Sequence, residues 1–335
     1  MCAAHRTLWK PVARRSMTCL IIGLCAALGA AVHAQPPQRQ RMPVQFRADR
    51  VYLRLTLAHG GTLRFYTDTG GAMVVAAPAL ARLGLQPRTP TDPTLRAQLG
   101  GDARVIAMQS LGLAATIPLA HAPMVVVPAM RQLPSWPPQG DGILGQAWFA
   151  GHVWTWNYPK GRLWLDPPGW APAGARGVPL GFPVDARGRR ADDFPRIVVR
   201  IAGKPVPLLL DTGAETYLTR AALAQLRDGG PRLRATSMII ASLFDRWHRE
   251  HPGWRIIRQA QAGTMAAMIE VPRVRVAGLR VGPVWFTERP DANFLKVMSS
   301  MTSAPVFGSL GGNALRDLHM TIDYPRALAW FTRGR

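Results

Sequence analysis

Short runs in which apolar and polar residues alternate dominate this chain, and they come in two matching sets. Arg50-Val51-Tyr52-Leu53-Arg54-Leu55 is one such run, and the stretch from Asp193 to Arg200, rich in β-branched and apolar residues, is its counterpart. A glycine turn follows each, at Gly60 and Gly203, and then a second apolar run, Leu63 to Tyr66 or Val206 to Leu210. Alternation bounded by glycine predicts strands. Both second runs end in Asp-Thr-Gly, at Asp68-Thr69-Gly70 and Asp211-Thr212-Gly213. A further apolar stretch then leads to an Ala/Leu spacing that predicts a short helix, at 79–83 and 222–226. A shift of 143 residues superimposes these segments without a gap.

A second block closes each half. Gly142-Ile143-Leu144-Gly145 matches Gly308-Ser309-Leu310-Gly311, and the register runs on through Asn157-Tyr158-Pro159 and Asp323-Tyr324-Pro325 to a last strand. A duplicated pattern of this length predicts two related lobes. The fold class expected is therefore all-β with short helices, bilobal. Residues 50–166 form the first lobe and 194–335 the second. The Pro/Gly/Arg-rich stretch 167–193 reads as a linker, and the Pro/Gln/Arg-rich stretch 35–49 as a mobile arm. Asp68 stands 74 residues before Gly142, but Asp211 stands 97 before Gly308. Most of the 23 extra residues are expected within 228–260. There, Ser237 to His251 reads as an amphipathic helix, either packed on the surface or acting as a lid.

Composition adds an address. His5, Arg6, Lys10, Arg14 and Arg15 precede an uncharged apolar stretch from Met17 to Ala31, and Val32-His33-Ala34 offers a cleavage site. Residues 1–34 therefore read as a secretory signal peptide, placing the protein in the periplasm or outside the cell. The apolar stretch, about 15 residues, is short for a membrane span, so no stable membrane insertion is expected after cleavage. All three cysteines, Cys2, Cys19 and Cys25, fall inside this signal, which excludes disulfides and thiol catalysis in the remainder. The net charge is +22. No nucleic-acid-binding module accompanies it, so nucleic acid is not an expected partner. His248 and His251 stand one helical turn apart without a third ligand nearby, and no serine-hydrolase elbow or phosphate loop occurs. Trp148, Trp154, Trp156 and Trp164 read as core and strand residues.

The chemistry lies in the paired turns. One Asp-Thr-Gly alone reads as a turn between strands. Two, each followed by an apolar-apolar-Gly block in order and in register, resemble the aspartic peptidase superfamily. Asp211-Thr212-Gly213-Ala214 and Asp141-Gly142-Ile143-Leu144-Gly145 resemble its bacterial retropepsin-like branch in particular, here as two tandem lobes. The resemblance implies two β lobes related by a pseudo-twofold axis with an active-site cleft between them, where Asp68 and Asp211 are catalytic and hold one water. It implies that Thr69 and Thr212 brace the turns, that Gly70 and Gly213 allow close approach, and that Ile143, Leu144 and Leu310 pack beneath. It implies an aspartic endopeptidase, monomeric, with no metal and no cofactor, binding a peptide or protein substrate as an extended strand. Gly100 and Gly101 in the first half and Gly263 in the second are the flap candidates. Four departures stand out. Gly71 and Ala214 replace hydroxyl residues beside the aspartates, which predicts a less acidic optimum than a pepsin's. No flap tyrosine is present, Ser309 replaces a large apolar residue, and no disulfide is possible. A non-catalytic peptide- or protein-binding protein on the same scaffold is the alternative.

Overall fold

The alternating runs fold as strands in the computed structural model, which describes residues 38–128 and 140–334. The predicted signal, 1–34, lies outside the described residues. The first half forms β1 (Gln40–Arg41), β2 (Val44–Arg47), β3 (Arg50–Thr56), β4 (Thr62–Thr67) and β5 (Val74–Ala76). It continues with β6 (Val105–Ile106), β7 (Met124–Val127), β8 (Gly142–Leu144), β9 (Val153–Asn157) and β10 (Arg162–Asp166). Its helices are α1 (Ala77–Arg82), α2 (Pro93–Leu99) and α3 (Gln146–Phe149).

The second half forms β11 (Val178–Pro179), β12 (Arg196–Ile201), β13 (Lys204–Leu210), β14 (Glu215–Tyr217), β15 (Leu233–Ala235), β16 (Ser237–Ile240) and β17 (Ile256–Ile257). Then come β18 (Met268–Val271), β19 (Val274–Val276), β20 (Leu279–Val281), β21 (Val284–Arg289), β22 (Gly308–Leu310), β23 (Leu318–Asp323) and β24 (Leu328–Arg333). Helices α4 (Arg220–Leu226), α5 (Ala241–Glu250) and α6 (Gly312–Leu315) complete it. The architecture is bilobal and mostly β, as the duplication predicts.

Each lobe has its own sheet, and the two share one wiring. The first runs β2-β3-β4-β8-β5-β7-β6 and the second β17-β18-β21-β16-β22-β13-β12-β19-β20. The strands that carry the turns, β4 and β13, pair in parallel with β8 and β22. Those pair antiparallel with β5 and β16, which in turn pair in parallel with β7 and β21. β16 thus holds the place of β5. Asp68 is 6 residues before Val74, whereas Asp211 is 26 before Ser237, so 20 of the extra residues precede β16. They are β14, α4 and β15, the two strands forming a separate antiparallel pair. This corrects the expected position of 228–260. The gapless shift matches α1 to α4, but the sheets match it to α5. Ser237–Ile240 is strand, and only Ala241–Glu250 is helix. Leu243, Phe244 and Trp247 of α5 are buried in the core, so the helix packs on its sheet and is not a lid.

A third sheet joins the halves in the order β1-β10-β9-β23-β24-β11. At its centre Thr155 faces Thr321, hydroxyl to hydroxyl at 2.8 Å. The duplication that pairs Asn157 with Asp323 makes these two threonines counterparts, so the axis relating the halves passes between them. Every residue of β9 is buried. Above it, Phe149 meets Trp156 at 5.4 Å and Tyr324, from the other half, at 6.3 Å. The tryptophans at 148, 154 and 156 are core.

Two further expectations change. Residues 38–49 are not an arm: β1 pairs with β10 and β2 with β3. Met42 is buried, and Phe46 lies edge-on to Tyr158 at 5.3 Å. Nor is 167–193 only a linker. β11 pairs with β24, and Leu180 and Phe182 are buried.

Candidate active site

The two turns are built alike and then tied together. Parallel pairing carries on past the strand ends: Asp68 N–H donates to Leu144 O at 2.9 Å, and Asp211 N–H to Leu310 O at 3.0 Å. This aims both loops at the axis. There Thr69 Oγ1 donates to Leu210 O at 2.7 Å and accepts from Thr212 N–H at 2.9 Å. Thr69 N–H donates to Thr212 Oγ1 at 3.2 Å. The brace is lopsided, since Thr69 Oγ1 satisfies two buried groups and Thr212 Oγ1 accepts from one. Burying an unpaired polar group costs about 1–3 kcal/mol. Thr69→Val is expected to destabilise by about 2–4 kcal/mol and Thr212→Val by about 1–2 kcal/mol in urea unfolding. Equal losses would show that the brace does not work this way.

Each glycine lies against the opposite aspartate. A Cβ on Gly213 would stand 2.0 Å from Asp68 Cγ, and one on Gly70 would stand 2.7 Å from Asp211 Cγ. Only bare backbone permits such an approach. Gly70 N–H donates to Asp68 Oδ1 at 2.8 Å, and Gly213 N–H to Asp211 Oδ1 at 3.1 Å. So oriented, the two carboxyls come within hydrogen-bonding reach of each other.

No family model matches the chain, and no curated protein matches it. Among solved structures, the chain is similar to the aspartic proteinase from Irpex lacteus. The two are 10% identical, the match covers 88% of this chain and 97% of the other, and the TM-score is 0.46.

The carboxyls are electrostatically unequal. Burial lifts both above the ordinary carboxylate value. For Asp68 the Asp211 charge adds to it, and its pKa stands well above that value. For Asp211 a hydrogen bond from Asp68 and the Gly213 and Ala214 N–H groups pull back. Ser309 helps too: its buried Oγ has no hydrogen bond of standard geometry, yet it is near enough to favour the Asp211 anion. Ser309, which replaces a large apolar residue, is thus a polar neighbour of the Asp211 carboxyl. The absence of a side chain at Gly71 is likewise forced, because a Cβ there would lie 2.3 Å from Asp68 Oδ2.

These shifts fix a sign for stability. A carboxyl whose folded pKa is raised holds its proton more tightly when folded. Its contribution is complete below the unfolded value, about 3.9, and is lost as pH rises through the folded value. The melting temperature is expected to fall from mildly acidic pH toward neutrality. Asp68→Asn, which cannot ionise, should flatten that fall and melt above the parent near neutral pH. A variant whose pH dependence overlays the parent's would refute this. Glu215 acts in the same direction: burial raises its pKa from 4.5 to about 7 against the pull of Arg50.

Several groups around the turns escape a reading by motif. Tyr66, the third residue from the end of its apolar run when Asp68 is counted, donates from its hydroxyl to Gly213 O across the halves at 2.9 Å. Arg50 bonds Tyr52 Oη and pairs with Glu215 at 3.2 Å, a second buried tie between halves. Glu215 directly follows Asp211-Thr212-Gly213-Ala214, the one local signal available for it. Ile143, Leu144 and Leu310 are buried in the strands beneath the turns.

The flap candidates part company. Gly100 and Gly101 are exposed at the end of α2, and among the described residues no hydrogen bond joins them to either Asp-Thr-Gly turn. Gly263, at φ +89°, tips the turn that holds Gln261. Gln261 Oε1 accepts from Arg289 at 2.7 Å. Arg289, Gly70, Leu209 and Asp211 line one cavity of about 350 Å³. A larger cavity, about 660 Å³, is lined by Arg200, Arg275 and Arg280 and contains no residue of either turn. His251 stacks on Trp254 at 4.2 Å, and His248 is exposed.

Proposed function

We propose that this protein is an exported, monomeric aspartic endopeptidase that hydrolyses peptide bonds with water activated between Asp68 and Asp211. One observation carries the reading: two buried carboxyls on duplicated turns lie within hydrogen-bonding reach, each pressed against the other turn's glycine. Like charges this close do not both ionise readily, so the pair keeps one proton, and its apparent pKa values belong to the pair. Asp68, the more strongly raised, is the proton's natural seat. Asp211, with its extra donors, is the natural anion.

The reaction follows from that division. The Asp211 carboxylate takes a proton from water as the water oxygen attacks the scissile carbonyl carbon. Asp68 gives its proton to the carbonyl oxygen, leaving a neutral tetrahedral diol. Asp211 then returns its proton to the amide nitrogen, Asp68 recovers one from a hydroxyl, and the C–N bond breaks. No covalent enzyme intermediate forms. The substrate binds extended across the turns, as an added strand. Export rests on the signal-like character of residues 1–34.

The test is incubation of the purified protein with a mixed peptide library from about pH 3 to about pH 7, read by mass spectrometry. Internal cleavage is expected, blocked by a peptide carrying a secondary hydroxyl in place of the scissile carbonyl, which mimics the diol. It should be indifferent to chelators and to serine- or cysteine-directed reagents. No cleavage anywhere in that range would overturn the proposal.

A further inference from the structure

The cavity beside Asp211 holds a cation with no counter-ion of its own. Arg289 closes β21, and its Nη1 donates to Gln261 Oε1 at 2.7 Å and to Glu288 O at 2.8 Å. Gln261 is 2% exposed, and its backbone bridges Leu218, so the anchor is fixed. These two bonds hold one edge of the guanidinium. Among the described residues, no acceptor takes Nε or Nη2, and Arg289 forms no ion pair. Arg50, the fully buried arginine near the turns, has Glu215. The Glu288 carboxylate turns instead to Ala267 N–H, at 3.4 Å. Burial lowers the Arg289 pKa to about 10 and the Asp211 charge works against that fall, so the group remains cationic at any pH of interest.

Apart from Asp211 and the amide of Asn293, the side chains lining the rest of the cavity are apolar. Leu209, Phe294 and Met298 form its walls, and Val297 stands 56% exposed among the lining residues. Gly70 and Asp211 belong to the same lining, so whatever fills the recess is attached to a residue at the reacting bond. A recess with apolar sides and a fixed guanidinium fits a short aliphatic stem ending in a carboxylate. Such a head can take the free edge of the fork by charge-assisted hydrogen bonds. An amide of the same shape has only its neutral carbonyl oxygen to offer, and a lysine head is repelled.

We propose that Arg289 is a specificity residue that selects a glutamate or aspartate side chain next to the scissile bond. This rests on the peptidase reading above and names its substrate class. A rival role exists in the same geometry: the Arg289 charge could act only on Asp211, tuning the pair for every substrate alike.

The test compares paired peptides taken from a cleaved library sequence, differing only in Glu or Gln at each position flanking the cut. The parent is expected to favour Glu over Gln at one of these positions by about 10–100-fold in kcat/KM. Arg289→Met should collapse that ratio toward one, and Arg289→Lys should restore part of it. A loss of packing alone would lower both peptides together and leave the ratio standing. If Arg289→Met depresses both peptides equally and shifts the pH profile, the tuning role is correct and the proposal fails. A parent that cleaves but shows no Glu preference also overturns it, and leaves the peptidase reading intact. A parent that cleaves no peptide of the library overturns both.

Discussion

Asp211→Asn is expected to abolish peptide hydrolysis, and Asp68→Asn to reduce it nearly as far. Asparagine fills the carboxylate's space and keeps an acceptor for the Gly213 or Gly70 N–H, so the turn survives. What it lacks is titration. At position 211 it removes the carboxylate that accepts the water proton, and a general base of this kind contributes about 10²–10⁴-fold. At position 68 the amide still donates a hydrogen bond toward the scissile carbonyl, and Asp211 stays ionised. Only the transfer of the proton is lost, so this variant should retain the greater residue of activity. The measurement is kcat/KM on a cleaved library peptide, with urea unfolding alongside to show that both variants fold. Either variant keeping more than about a tenth of parental activity would break the two-carboxyl mechanism.

That pair of aspartates is legible in the sequence because everything that announces it is local. Alternating or continuous apolar runs mark β3, β4, β12 and β13, and the tripeptide ends its strand in both halves. The closing Gly blocks are legible as a matched pair, and they fold as β8 and β22 beside the turn strands. The duplication even locates the axis, since Thr155 and Thr321 are counterparts before they are seen to touch.

What the sequence hides is non-local. The second half resembles the first most closely at α4, where Ala222-Leu223 repeats Ala79-Leu80. Which segment lies beside β22 is decided by backbone hydrogen bonding, and β16 wins that place. The added hairpin β14–β15 is displaced into a sheet of its own. The stretch 35–49 looks unstructured by composition, yet Val44 and Phe46 pack against the core at a sheet edge. Arg50 and Glu215 are 165 residues apart, and Gln261 and Arg289 are 28 apart; neither pairing leaves a local trace. Ser309 misleads in another way. By size it reads as a lost prop, and only its position shows that it sits beside Asp211.

Gly213→Ala is expected to cost far more activity than stability. The added methyl carbon would lie 2.0 Å from Asp68 Cγ and 2.2 and 2.4 Å from its two oxygens, well inside van der Waals contact. No left-handed backbone is involved at Gly213, so the clash is the whole effect. Asp68 is the softer partner: its carboxyl can swing away, giving up the Gly70 N–H bond and its place beside Asp211. Folding should then lose only about 1–3 kcal/mol, the usual range for overpacking. Hydrolysis should fall by about 10²-fold or more, because the proton no longer lies between the two groups. Gly70→Ala should be milder, its nearest contacts being 2.7 Å to Asp211 Cγ, 2.8 Å to Asp211 Oδ1 and 2.9 Å to Leu209 Cδ2. Gly253→Ala, where a Cβ meets nothing within 4 Å, is the neutral control. A double-mutant cycle isolates the cause. If the methyl acts through the Asp68 carboxyl, adding Asp68→Ala to Gly213→Ala should recover most of the lost stability, a non-additivity expected only of groups in contact. If the two variants simply add, the glycine is not facing that carboxyl, and the juxtaposition on which the proposed chemistry depends does not exist.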